Sequence, residues 1–371
     1  MIERRPTRQV MIGNVAVGGT APIAVQSMCS TDTRDIDATM RQVNALEKAG
    51  CEIVRIAVPT KDSGEAFGEI RAQTTLPLVA DIHFDYRMAL LAIEKGADKI
   101  RINPGNIINA DGMRAVRIAV DAAKDRGIPI RIGVNAGSIE QKLLDKYGYP
   151  TPEAACESAV NHVHLLDDMG FEDLVVSVKF SDVPQMVAAY RLLSKQIDYP
   201  LHLGVTEAGA SMPAYIKSAL GIGTLLAEGI GDTLRVSLTT ADKTDEVVAG
   251  FEILKALEIR SKGPLLTSCP SCGRAQVDLP ALGLQVAEAL KHIHKPVKVA
   301  VMGCAVNGPG EAADADIAVV GGRGVGMIYI KGKPARRVPE AGVIAALLEE
   351  IEAWEPSGGD AERPGHLTIV S

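Results

Sequence analysis

The chain has 371 residues, 47% hydrophobic and 23% charged, a composition that excludes an intrinsically disordered protein. At roughly 100–200 residues per domain, that length predicts two domains, or one large barrel with something smaller attached. Lys and Arg total 39 against 46 Asp and Glu, so the net charge is −7. That balance argues against a broadly basic nucleic-acid binder but leaves room for a local basic pocket.

From about residue 22 to 258 the chain alternates short β-branched runs with amphipathic segments. Strands are predicted over 23–28, 52–58, 76–82, 99–103, 128–135, 173–179, 201–207 and 233–239. Their near-continuous apolar runs suit parallel strands buried on both faces. Helices are predicted over 35–49, 87–95, 113–126, 153–169 and 183–196, four of them closely followed by a Gly: Gly50, Gly96, Gly127 and Gly170. A Gly stop followed by a strand is the repeating signal of β–α units. Eight such units over residues 1–258 predict a (β/α)8 TIM barrel. An open doubly wound sheet is the runner-up, weakened because no GxGxxG follows the first strand.

Residues 259–264 read as a linker and 265–355 as a smaller α+β domain. It is predicted as a strand, a CxxC turn, a helix (282–292), a strand (297–302), a second Cys turn, a strand (316–320), a hairpin strand (327–330) and a helix (340–354). The glycine-rich run from Gly321 to Gly326 joins two strands, so it reads as a hairpin turn rather than a phosphate cradle. Residues 356–371 read as a C-terminal tail. No run reaches the ~18 apolar residues of a membrane span. Residues 1–19 also lack a signal-peptide core, so the expectation is a cytoplasmic protein with no membrane partner.

Six cysteines in a reducing compartment suggest metal or redox chemistry rather than disulfides. Cys29, Cys51 and Cys156 read as small buried hydrophobes. Cys269 and Cys272 form a CxxC turn, and Cys304 follows an apolar strand. A structural zinc site needs a fourth Cys or His, for which His292 and His294 are candidates. A redox dithiol needs only the CxxC pair. An iron–sulfur cluster takes three or four Cys and tolerates another fourth ligand, and Glu311 offers a carboxylate. A hard carboxylate on iron is exchangeable and leaves a position for a substrate oxygen.

A second constellation lies at predicted strand ends: Arg55, Asp81, His83, Arg101, Asn103, Arg131, Asn135, Lys179, Glu207, Arg235 and Ser237. Polar groups are costly inside a barrel unless they face its open end. The four Arg and Lys179 would make a cationic cup suited to phosphate oxygens. The plainer reading pairs each Arg with a local acid. Glu207 is either a general acid or an Arg neutraliser.

Five motifs in order carry a resemblance: Val25-Gln26-Ser27-Met28, Val79-Ala80-Asp81-Ile82-His83-Phe84-Asp85, Ile100-Arg101-Ile102-Asn103-Pro104-Gly105-Asn106, Ser268-Cys269-Pro270-Ser271-Cys272 and Val306-Asn307-Gly308-Pro309-Gly310-Glu311. From about residue 4 to 355 the chain resembles the 4-hydroxy-3-methylbut-2-enyl diphosphate synthase family of the methylerythritol phosphate route to isoprenoids. The resemblance implies a TIM barrel followed by a ferredoxin/sulfite-reductase-like domain with one [4Fe–4S] cluster per chain. It implies reductive ring opening and dehydroxylation of an anionic cyclodiphosphate, 2-C-methyl-D-erythritol 2,4-cyclodiphosphate, with flavodoxin or ferredoxin as electron donor. Cys269, Cys272, Cys304 and Glu311 match the cluster ligands, and Glu207 matches the proton donor. Arg55, Arg101, Arg131, Lys179, Arg235 and Ser237 match the diphosphate cup, with His83, Asn103, Asn135 and Asn307 near the substrate. The resemblance also implies a homodimer in which the barrel of one subunit faces the cluster domain of the other. The alternative is a TIM-barrel lyase or aldolase acting on a phosphorylated substrate, with Lys179 forming a Schiff base and a structural zinc domain. A weaker third reading is a non-catalytic sensor of a phosphorylated ligand.

Overall fold

The computed structural model describes residues 2–293, 295–304, 306 and 308–355. The chain divides into two compact units, one ending at Leu257 and the other beginning at Glu258. The first unit opens with an antiparallel hairpin, β1 (Gln9–Ile12) and β2 (Val15–Gly18). Ile12 and Val17 pack on Ala24, Ile53 and Val79 at the N-terminal ends of the barrel strands. This hairpin was not expected from the sequence. Each strand has four residues, too few to show a period.

Then follow β3 (Ala24–Met28), α1 (Ile36–Lys48), β4 (Ile53–Ala57), α2 (Lys61–Arg71), β5 (Leu78–Asp81), α3 (Tyr86–Glu94), β6 (Lys99–Ile102), α4 (Pro104–Asp111) and α5 (Met113–Arg126). The unit continues with β7 (Ile130–Asn135), α6 (Gln141–Tyr147), α7 (Pro152–Asp167), β8 (Leu174–Lys179), α8 (Val183–Leu193), β9 (His202–Leu203), α9 (Ser211–Ala227), β10 (Thr233–Leu234) and α10 (Thr244–Ala256). Strands β3 to β8 pair in sequence, all parallel, while β10 joins β3 to β9. A parallel bridge from Val176 to Leu201 links β8 to the start of β9 and closes the circle. The (β/α)8 barrel expected from the strand count is therefore present, and the open doubly wound sheet is not.

Local chemistry explains the helix starts. Asp35, Thr60, Asp85, Asn103, Thr151 and Asp182 each accept a backbone N–H in the first turn of the following helix. Such caps contribute about 1 kcal/mol each. Helix α1 buries Thr39, Met40, Val43 and Leu46 as one stripe.

Two predicted strands are much shorter than expected: 201–207 reduces to β9 and 233–239 to β10. After β9, Gly204 lies so close to the Arg235 carbonyl that a Cβ there would stand 2.7 Å from it. Glu207 then takes a φ of +53°, which ends any extended run. After β10, the Leu238 N–H donates to the Glu246 carboxylate instead of to a neighbouring strand.

The second unit holds a sheet in the order β11 (Leu265–Ser268), β12 (Lys298–Met302), β13 (Ile317–Gly322), β14 (Val325–Ile330) and β15 (Lys333–Pro339). The first three strands are parallel and the last two antiparallel. Helices α11 (Leu279–Leu290) and α13 (Val343–Ala353) share a core with Val299, Val301, Ile317 and Val319. On the other face, Ala312 of α12 (Gly308–Ala313) packs with Ala300, Met302, Ala318 and Val320. The glycine-rich run is a tight hairpin, with Gly322 opposite Val325 and Gly324 at φ +67°. Strand β15 was not predicted; its charged, proline-bearing sequence has no apolar alternation. The predicted tail (356–371) and His294 lie outside the described residues. No helix among those described is long and apolar enough to cross a membrane.

Candidate functional site

Strand alternation puts Lys99 and Arg101 on one side of β6, and Ser177 and Lys179 on one side of β8. Arg55, Arg131 and Lys179 are 8%, 1% and 7% exposed. Arg55 Nε lies 3.5 Å from Asp81 Oδ2, and Arg101 Nη1 lies 3.2 Å from Asp81 Oδ1. Arg235, just past β10, grips Glu246 at 3.2 Å. The plainer expectation of paired arginines thus holds for three of the four. Their partners are Asp81 at the end of β5 and Glu246 in the first turn of α10.

Arg131 donates Nη1 to Ser177 Oγ at 2.5 Å, and Lys99 reaches Gln26 Oε1 at 3.4 Å. Among the described residues no carboxylate pairs with Arg131, Lys99 or Lys179. Four arginines, Arg55, Arg101, Arg131 and Arg235, and three lysines, Lys99, Lys179 and Lys243, therefore share two carboxylates, Asp81 and Glu246. Arg101 Nε and Arg131 Nε are buried without a partner.

The electrostatics follow from this crowding. Burial, then neighbouring Arg131 and Arg55, push Lys179 well below the usual lysine range, and the same causes act on Lys99. Burial lowers Arg55 to about 10 despite Asp81. Burial alone would raise the Asp81 carboxyl, but Arg55 and Arg101 offset it and hold it at about 2. His202 is fully buried with both ring nitrogens unpartnered; burial, then Lys179, disfavours its charged form.

Asn103 caps α4, accepting the Gly105 N–H at 3.1 Å, and donates to Ser138 Oγ at 3.0 Å. The same hydroxyl accepts the Asn135 N–H at 3.1 Å, so Ser138 ties the two predicted asparagines together. His83 is exposed just past β5 and contributes to the field at Asp81. Ser237 is half-buried after β10. Glu207 is exposed and makes no side-chain hydrogen bond among the described residues.

In the second unit, Cys269, Cys272, Cys304 and Glu311 line one cavity of about 320 Å³. The Cys269 N–H bonds the Val301 carbonyl as β11 ends, and Ser271 turns the chain with φ +68°. The Gln276 N–H bonds the Gly303 carbonyl, holding the CxxC turn against the second Cys turn. None of the six cysteines forms a disulfide. A hydrogen bond from the Arg274 side chain, helped by backbone N–H groups, lowers Cys272 below the usual thiol range. By contrast, burial raises Cys29 to about 12 and Cys156 to about 11, as inert packed thiols.

Three soft thiolates and a carboxylate suit an iron–sulfur cluster. Among the described residues no three His, Cys, Asp or Glu close around a point as a one-ion cage would require. His292, weighed as a zinc ligand, does not line the cavity. Asn307 lies outside the described residues.

Sequence reasoning missed Lys99, Ser177 and Glu246 and passed over His202. Lys99 and Ser177 were detectable, each two residues before a chosen cation on its strand. Glu246 looked like an ordinary acid in a helix first turn.

Comparison with known proteins finds two family matches: the GcpE TIM-barrel domain over residues 7–251 and the GcpE protein C-terminal domain over 265–353. A protein of Symbiobacterium thermophilum is 57% identical over 95% of this chain and 94% of its own length. One from Geobacter sulfurreducens is 56% identical over 93% and 97%, and one from Azotobacter vinelandii 53% over 97% and 97%. All three are named 4-hydroxy-3-methylbut-2-en-1-yl diphosphate synthase (flavodoxin).

Proposed function

This chain belongs to the GcpE family, and on that premise we propose that Cys269, Cys272, Cys304 and Glu311 hold one [4Fe–4S] cluster. The enzyme is an iron–sulfur oxidoreductase of isoprenoid synthesis. It converts 2-C-methyl-D-erythritol 2,4-cyclodiphosphate to 4-hydroxy-3-methylbut-2-enyl diphosphate by reductive ring opening and dehydroxylation, with flavodoxin as electron donor. The lyase reading with Lys179 as Schiff base gives way to this family membership.

The observation that carries the substrate reading is the excess of buried cations over carboxylates at the barrel mouth. Arg131 supplies positive charge with no carboxylate in contact among the described residues, and Lys179, whose charged form burial disfavours in the free protein, is poised to take up a proton beside an anion. Arg55 and Arg101 are held in place by Asp81 before the ligand arrives. Asn103, Asn135, Ser237, His83 and Asn307 complete the polar contacts, and Glu207 is the proton donor at the exposed turn after β9. When bound, the cluster supplies electrons singly and, at the iron held by carboxylate, a Lewis acid.

The working division is a barrel through 258, a linker at 259–264, a cluster domain over 265–355 and a tail over 356–371. Helix α9 leaves Met212, Ile216 and Leu220 exposed at four-residue spacing, with Tyr215 beside them. That apolar stripe supports a contact face between copies of this chain. The arrangement in which the barrel of one protomer works with the cluster domain of its partner is carried over from the family resemblance alone. Cysteines without disulfides suit a reducing cytoplasm.

Anaerobic iron and sulfide analysis with electron paramagnetic resonance tests the cluster. The expected result is equal iron and sulfide at four each per chain and a signal that changes with the cyclodiphosphate. A colourless protein with stoichiometric zinc would sink the proposal.

A further inference from the structure

Glu246, in the first turn of α10, is 0% exposed. Its carboxylate accepts from Ser27 Oγ at 3.0 Å, the Leu238 N–H at 3.1 Å and Lys243 Nζ at 3.1 Å. Arg235 approaches with Nε and Nη2, both at 3.2 Å. The partners come from β3, from the segment after β10 and from the residue before α10. A fully buried carboxylate is costly unless charges and hydrogen bonds satisfy it. Here two cations and two neutral donors do so.

The geometry of Arg235 has a chemical consequence. The Nε–Nη2 edge is one of the forks by which a guanidinium grips an oxyanion in two places. Glu246 occupies that edge, and Nη1 has no partner among the described residues. Ser237 lies two residues on, in the same segment that Glu246 ties down through the Leu238 N–H.

We propose that Glu246 is a positioning residue of the barrel mouth. It fixes Arg235 in one orientation and holds the segment 235–243, so that Arg235 Nη1 meets the anionic ligand. This rests on the barrel mouth being the cyclodiphosphate site. Glu246 touches no substrate itself; it acts through Arg235.

The test is a double-mutant cycle on the cluster-loaded enzyme: Glu246→Gln, Arg235→Gln and both together. The dissociation constant of the cyclodiphosphate is read by calorimetry, with iron content and Tm alongside. Glu246→Gln should weaken binding about tenfold alone, but less than about twofold when Arg235 is already Gln. An equal loss in both backgrounds, or no loss in the single variant, overturns the proposal. If the wild-type enzyme itself fails to bind the cyclodiphosphate, the site assignment fails, and the proposal with it. Should Glu246→Gln not fold, Glu246→Asp, which keeps the charge but withdraws it by one methylene, enters the same cycle with the same expectation.

Discussion

Arg131 donates to Ser177 Oγ at 2.5 Å, and that neutral hydroxyl is its one side-chain partner among the described residues. A guanidinium 1% exposed thus has no carboxylate in direct contact among the described residues, with Asp81 acting on it only at longer range. Burying such a charge costs several kcal/mol unless something compensates it. In the function proposed above, the bound anion supplies that compensation. Arg131→Met should weaken cyclodiphosphate binding by roughly 10- to 100-fold while leaving the free protein as stable, or about 1–3 kcal/mol more stable. Calorimetry and thermal unfolding check the two halves. Lower stability with intact binding would place Arg131 in the structural frame instead.

Lys179 responds to pH through the same imbalance. Burial first, then Arg131, disfavours its charged form in the free enzyme. An anion bound beside it favours the charged form, so binding should take up a proton. Affinity is then greatest below the free-state pKa and falls as pH rises towards the bound-state pKa. Calorimetry in buffers of different ionisation enthalpy should show net uptake, reduced in Lys179→Met. No difference between the two proteins would contradict this.

Asp81 has the opposite sign. Its pKa of about 2 lies below the ~3.9 of an unfolded chain. It therefore contributes stability above about pH 4, lost as pH falls from about 4 towards about 2, on the order of 2–3 kcal/mol. Asp81→Asn should lower stability at neutral pH and flatten that acid limb, measured by denaturant unfolding across pH. An unchanged limb would show that other carboxylates set it.

Glu311 lines the thiol cavity as its one carboxylate. Glu311→Cys should retain iron and sulfide but lose turnover by 100-fold or more, because a thiolate ligand exchanges less readily than a carboxylate. Full activity in that variant would remove any need for an exchangeable ligand.

The sequence exposed the barrel because parallel strands buried on both faces write continuous apolar runs, as in β7 and β8. The cysteine turns were legible because CxxC and its glycine-rich companion carry their chemistry locally. What stayed hidden was set by tertiary partners. Leu203 and Leu234 end strands whose apolar runs continue to Val205 and Val236, because Gly204 packs on the Arg235 carbonyl and Leu238 turns to Glu246. Ser177 and Glu246 hold two of the barrel's buried or half-buried arginines, Arg131 and Arg235, yet neither residue type announces that role. Strand β15 pairs through its backbone, which charged side chains do not reveal.

The most direct test gives the anaerobic, cluster-loaded enzyme its cyclodiphosphate and reduced flavodoxin and follows product by mass spectrometry. The expected product is 4-hydroxy-3-methylbut-2-enyl diphosphate, with two electrons consumed per molecule formed, and none from Cys304→Ser. Absence of that product from wild-type protein carrying its full iron and sulfide would contradict it.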